Sequence, residues 1–135
     1  MSKGLESLPA FFNRMAERIE KRAAEKVSVT GLAIIQKIVP ATPVDTGRAR
    51  SNWIASKNEP VAKIRDEIDG GGSISIREGV AVSASIRGGD KMFITNSLPY
   101  IESLNSGSSK QAPAGFVETA VDAGKAAARK VSLIK

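Results

Sequence analysis

The chain has 135 residues, 41% of them apolar and 25% charged, and it lacks both cysteine and histidine. This composition fits one globular domain and excludes a collagen-like or wholly disordered chain; the two missing residue types exclude disulfides, thiolate or imidazole catalysis, and metal sites built on those ligands. The net charge of +6 is spread along the chain, with most basic groups beside acidic ones, so a mildly basic surface is expected rather than a dedicated DNA-binding patch.

Residues 1–6 lack the apolar core of a signal peptide, which predicts an intracellular start. Residues 1–8 are expected to be flexible until assembled. Leu8, Phe12, Met15, Ile19, Ala23, Val27, Ile34 and Ile38 recur at helical spacing and predict a helix over residues 9–39. Arg14, Glu17, Arg18, Lys21, Arg22 and Glu25 form its polar face, with Glu17 and Lys21 in the favourable i, i+4 order. Gly31 marks a bend or a close approach. Pro40 is expected to end the helix, because the residue before a proline is pushed out of the α region.

Residues 40–47 read as a stiff connector, with Asp45 or Thr46 placed to cap a short turn over residues 47–51. Trp53 opens a strand that Asn58 and Pro60 stop. Residues 61–69 are charged and allow a short helix, and residues 70–72 are a glycine loop. Residues 73–87 fit period two and period four about equally, so periodicity leaves strand and helix open. Residues 91–95 predict a clearer strand. Residues 99–104 read as a helical turn with Gly107 as its left-handed cap. The last helix is expected to start at Pro113 and to present Phe116, Ala120, Ala123, Ala127, Val131 and Ile134 on one face.

Few patterns point to chemistry. The glycine loop is followed by no lysine at P-loop spacing, so it reads as a flexible loop. Asp66, Glu67 and Asp69 offer oxygen ligands to a divalent cation but fit a solvated face better. Arg48 and Arg50 flank Trp53, a grouping suited to a phosphate and a base; a lone tryptophan in so aromatic-poor a chain fits a core anchor better. Asn96 suits a strand exit. Tyr100 suits a core or an interface. Residues 105–113 form a polar loop suited to subunit contact.

Three segments carry a resemblance. Residues 44–53 (VDTGRARSNW) resemble the "VDTGxLRxxW" opening of the minor tail component, neck or tail-completion family of long-tailed, lambda-like bacteriophages. Residues 93–100 (FITNSLPY) resemble its "IYITNNLPYA" strand and turn, and residues 104–117 (LNSGSSKQAPAGFV) its "LExGxSxQAPxGMV" loop and helix start. The three occur in the family's order from residue 40 to the C-terminus. Ala49, Ser97 and Asn105 stand where the family usually has leucine, a second asparagine and glutamate.

The resemblance implies an α+β fold, with long N-terminal and C-terminal helices on a small, mainly antiparallel sheet. It also tips residues 73–87 to helix. It implies one domain over residues 1–135, serving as a non-enzymatic structural protein of the virion and assembled in the bacterial cytoplasm. Such proteins form a ring at the head–tail junction, six-fold by preference. The expected partners are connector or head-closure and tail-terminator or tail-tube proteins. DNA passes the lumen without sequence-specific contact, and neither cofactor nor membrane is involved. The candidate residues it singles out are Asp45, Thr46, Gly47, Arg50, Trp53, Asn96, Pro99, Tyr100, Gly107, Ser109, Gln111, Pro113 and Gly115. A head-to-tail ring needs two different surfaces per subunit; the 105–113 loop and the N-terminal helix are the expected pair. The alternative is a small basic DNA-binding protein, resting on the net charge of +6 and on Arg48, Arg50 and Trp53. A carboxylate-dependent hydrolase needs a metal site that the sequence does not offer.

Overall fold

The computed structural model describes residues 5–43, 47–66, 69–107 and 114–134. Asp45, Thr46, Glu67, Ser109, Gln111 and Pro113 lie outside that set, as do residues 1–4.

The first helix, α1, spans Leu8–Ala41, about 51 Å at 1.5 Å per residue. The Ser7 side chain caps it, accepting the Ala10 N–H at 3.3 Å, and Pro9 sits in the first turn, where its missing N–H costs nothing. Residues 5–7, expected to be flexible, are tied to the helix: Glu6 reaches along it to Arg14 at 2.6 Å. Pro40 does not end α1. Val39, which precedes it, is fully buried, and that burial outweighs the steric bias against the α region. The helix stops at Thr42, which is extended (ψ 133°). Pro43 follows Thr42, so the same pre-proline restriction acts three residues later.

A four-residue helix, α2 (Arg48–Ser51), leads into strand β1 (Ile54–Lys57). Residues 61–66 form no helix: the Arg65 N–H bonds to the Asn52 side chain instead, and Thr95 Oγ1 takes the Val61 carbonyl. Residues Ser73–Ser85 form helix α3, so the helical alternative holds there. Strand β2 (Met92–Thr95) pairs antiparallel with β1, Ile54 opposite Thr95 and Lys57 opposite Met92. At the open end Asn58, left-handed at φ 70°, bridges Asp90 and the Lys91 N–H. Helix α4 covers Ile101–Asn105 and helix α5 Phe116–Arg129. Helix α5 thus begins after the expected Pro113, at left-handed Gly115 (φ 83°), and ends before Val131 and Ile134.

The result is the α+β arrangement expected: two long helices around a two-stranded antiparallel sheet. The C-terminal half of α1 is the hub. It packs against α5 and α3, and β2 also lies on it. Ile35, Ile38, Val39, Trp53, Ala55, Phe116 and Ala120 make one core. Three helical glycines set the close approaches. A Cβ on Gly31 would collide with the Met92 thioether, on Gly79 with Ile35, and on Gly124 with Ile34. Gly31 therefore marks close packing. Gly124 shares the buried face of α5 with Phe116 and Ala120.

Among the described residues, no helix is long and apolar enough to cross a membrane.

Candidate functional site

Most of the described candidate residues turn out to fasten chain segments together. Arg50 is the centre of one cluster. Its Nε donates to the Thr42 carbonyl and one Nη to the Pro40 carbonyl, both at 2.7 Å; the other Nη reaches the Gly70 carbonyl at 3.2 Å. A guanidinium at a helix C-terminus satisfies carbonyls that have no intrahelical donor and opposes the negative end of the dipole. Trp53 is 6% exposed, and its indole N–H donates to Thr42 Oγ1 at 2.8 Å. Thr42 Oγ1 in turn donates to the Ile38 carbonyl. Trp53 is therefore the core anchor expected of a lone tryptophan, and the alternative grouping with Arg50 on nucleic acid is not formed: the ring lies in the core and the guanidinium binds backbone.

Gly47 precedes α2 with φ 73°, and its carbonyl accepts both the N–H and the hydroxyl of Ser51. Asn96 leaves β2 and donates from its side chain to the Ala49 carbonyl at 3.0 Å, while its Oδ1 accepts the Leu98 N–H. The first two resembling segments are thus joined by this bond, and β1, which directly follows the first, pairs with β2 in the second. Pro99 and Tyr100 are exposed at the turn into α4.

A second cluster joins the end of α4 to the start of α5. Gly107 (φ 93°) donates its N–H to the Leu104 carbonyl, as expected of a left-handed cap. Gly115 donates its N–H to the Asn105 carbonyl at 2.7 Å. The Asn105 side chain donates to both Glu118 oxygens and accepts the Val117 N–H at 2.9 Å. Asn105, noted only as a departure from the resembling pattern, therefore locks the end of α4 to the start of α5.

Sequence reasoning missed a third group. Asn52 is fully buried; it binds the Arg48 carbonyl through its amide and the Arg65 N–H through its Oδ1. Arg65 donates to the Ser51 carbonyl and makes a two-pronged ion pair with Glu78 at 2.7 and 2.8 Å. That clamp holds residues 61–66 against α2 and α3. Asp69 accepts from the Ser73 hydroxyl and from the Gly71 and Ile74 N–H groups. The Ser73 hydroxyl, then the Ile74 N–H, hold its carboxyl below the ordinary aspartate value. The Gly70–Gly72 turn opens α3, but its N-terminal donors are taken by Asp69, so it is not an open phosphate cradle. An aspartate followed by glycines and a serine was the available signal. Asp90 is lowered likewise by the Arg87 N–H and then the Asn58 side chain. Glu6 is lowered by Arg14.

Among the described residues, every buried side-chain nitrogen and oxygen has a partner, and no group of three or more acidic residues is placed to hold a metal ion.

No family model matches the chain, and no curated protein or solved structure matches it either.

Proposed function

We propose that this protein is a structural component of a tailed-phage virion, forming a ring at the head–tail junction that helps join the tail to the head connector and lets DNA pass. What carries the reading is the resemblance of three ordered segments, together with the way they meet in the fold. The first supplies Arg50 and Trp53 to the end of α1. The second bonds to it through Asn96 and pairs, through β1–β2, with the strand that directly follows it. The third contributes Phe116 to the same core and ties Asn105 to Val117.

In this reading the protein is not an enzyme, and its function is binding free energy directed to geometry. A rigid scaffold presents contact surfaces to neighbouring subunits. Ordering those surfaces costs conformational entropy, which the interface must offset. That cost would also hold back premature self-assembly. The DNA-binding alternative keeps the net charge of +6 and Arg48 as its ground, with Trp53 buried and Arg50 engaged with carbonyls.

The test is electron microscopy of lysates from a phage whose copy of this gene is deleted. Filled heads beside separate tails are the expected result. Intact infectious particles overturn the reading. Titrating the purified protein with duplex DNA against salt addresses the alternative, which requires affinity that falls steeply as counterions are released.

A further inference from the structure

The first three turns of α1 touch little of their own chain. Leu5 is 81% exposed, Leu8 66% and Phe12 59%. Leu8, Phe12, Met15 and Ile19 fall on one helical face, and Phe11 packs edge-on against Phe12. This arm is structured: Ser7 caps it, Glu6 pairs with Arg14, and Arg14 also lies over the Phe11 ring. Further along the same molecule, an open groove of about 430 Å³ runs between α1, β2 and α5. Val27 and Ile34, Met92 and Ile94, and Val117 and Val121 line it.

We propose that the arm of one copy occupies this groove on the next copy. The inference rests on the ring reading and names the contact that would build the ring. Four observations support a second copy as the occupant.

The arm cannot fill its own groove. Phe12 and Ile34 lie about 33 Å apart along one helix, and residues 10–30 contain no glycine or proline at which it could fold back.

The arm's charge also argues against a lipid surface. Residues 5–19 carry two acidic groups, Glu6 and Glu17, and two basic ones, Arg14 and Arg18. Interfacial membrane helices are rich in lysine and arginine on the polar face; a balanced arm has no such attraction to anionic headgroups.

The areas are of the right order. The exposed parts of the arm's apolar side chains amount to roughly 500 Å². With flanking side-chain stems this approaches the ~600–1,000 Å² per partner of a standard interface.

Finally, arm and groove are different surfaces of one subunit. Such a contact is heterologous and propagates from copy to copy until it closes.

The experiment places the photoreactive residue p-benzoyl-phenylalanine at position 12 of the full chain. Self-association is followed by light scattering from micromolar to submillimolar concentration. Crosslinks from position 12 to peptides containing Met92 or Val121 of another copy are expected. The double variant Leu8→Ser/Phe12→Ser should keep its thermal unfolding midpoint, since both side chains are mostly exposed and lie outside the core, Phe12 meeting Phe11 of its own arm. It should weaken self-association by roughly tenfold or more. Val121→Arg, at the groove, should do the same. A mixture of the two variants should restore one contact and stop at a pair.

Crosslinks elsewhere overturn the arm-in-groove contact but leave the ring reading standing. A closed two-fold pair carrying the expected crosslink keeps the contact and overturns the ring. Monomer without crosslink at every concentration overturns the contact, and the virion experiment then judges the ring on its own. Arm-dependent binding of the monomer to phosphatidylglycerol vesicles overturns the second copy in favour of a lipid surface.

Discussion

Arg50 belongs to a four-residue helix, yet its guanidinium reaches two other pieces of chain, the end of α1 through the Pro40 and Thr42 carbonyls and the glycine turn through Gly70. Arg50→Ala should cost about 1–3 kcal/mol, the range for hydrogen bonds to a charged donor, read as a lower urea midpoint at unchanged slope. A midpoint equal to wild type would show that water replaces the guanidinium there without loss. Asp69 supplies a pH dependence. Its folded pKa lies below the unfolded one because the charged form accepts three hydrogen bonds. The carboxylate therefore stabilises the start of α3 fully above the unfolded value of about 3.9. That contribution is lost as pH falls through the lower, folded value. Asp69→Asn should be less stable than wild type at neutral pH, and the difference should narrow in acid. Thermal unfolding between pH 7 and pH 2.5 or so measures it; a difference that stays constant with pH would assign the effect to something other than charge. Asp69 carried a local signal in the glycines and serine that follow it; the role of Arg50 carried none. Arginine at a helix C-terminus is favourable in general, but which carbonyls it reaches depends on where Gly70 lies.

At the scale of elements, three crossings on α1 are set by glycine, and the neighbours predict different responses to a methyl group. Alanine gains about 1 kcal/mol of helix propensity at each position, set against roughly 1–3 kcal/mol for overpacking. Met92 is long and unbranched and can swing away from Gly31. Gly31→Ala should therefore be near neutral. Ile35, opposite Gly79, is buried and β-branched, so it has no alternative rotamer to take. Gly124 meets Ile34 and also the Thr30 carbonyl, which is backbone. Gly79→Ala and Gly124→Ala should each lower stability, by up to about 2 kcal/mol net, measured by thermal or denaturant unfolding. Equal effects at all three positions would contradict this account. Gly31 stood out in the sequence because it interrupts a helical pattern. Gly124 did not, because it sits among alanines, where a small residue looks like more of the same face.

The whole molecule is unevenly stabilised. Residues 31–39 of α1 are wrapped by α3, α5 and the sheet, whereas residues 8–20 have almost no tertiary neighbours. A helix of that length without packing is marginal in water; it persists as the extension of a packed rod. Amide hydrogen exchange should therefore be fast over residues 10–18 and slow over 35–39, near the global unfolding limit. Uniform protection along α1 would mean the arm is already covered in solution.

The sequence was enough for the long first helix, the two strands, the C-terminal helix and a tryptophan in the core. These rest on local periodicity and on the scarcity of aromatic residues, both of which are properties of the chain read in order. It also named most of the residues that tie the resembling segments together. Tertiary structure decided the rest. Whether residues 73–87 made helix or strand was left open by periodicity, and Gly79 settles against Ile35 only in the helix. Where α1 stops was decided by the burial of Val39, which lets the helix run through Pro40 to the next proline. The clamp of Asn52, Arg65 and Glu78, and the tie of Asn105 to Glu118, join residues 13 apart in sequence, a spacing that marks no local motif. The apolar stripe on α1 reads as one continuous core face, yet only its second half is covered. Coverage depends on how far the other elements reach along a 51 Å rod, and that is a matter of packing, not of spacing.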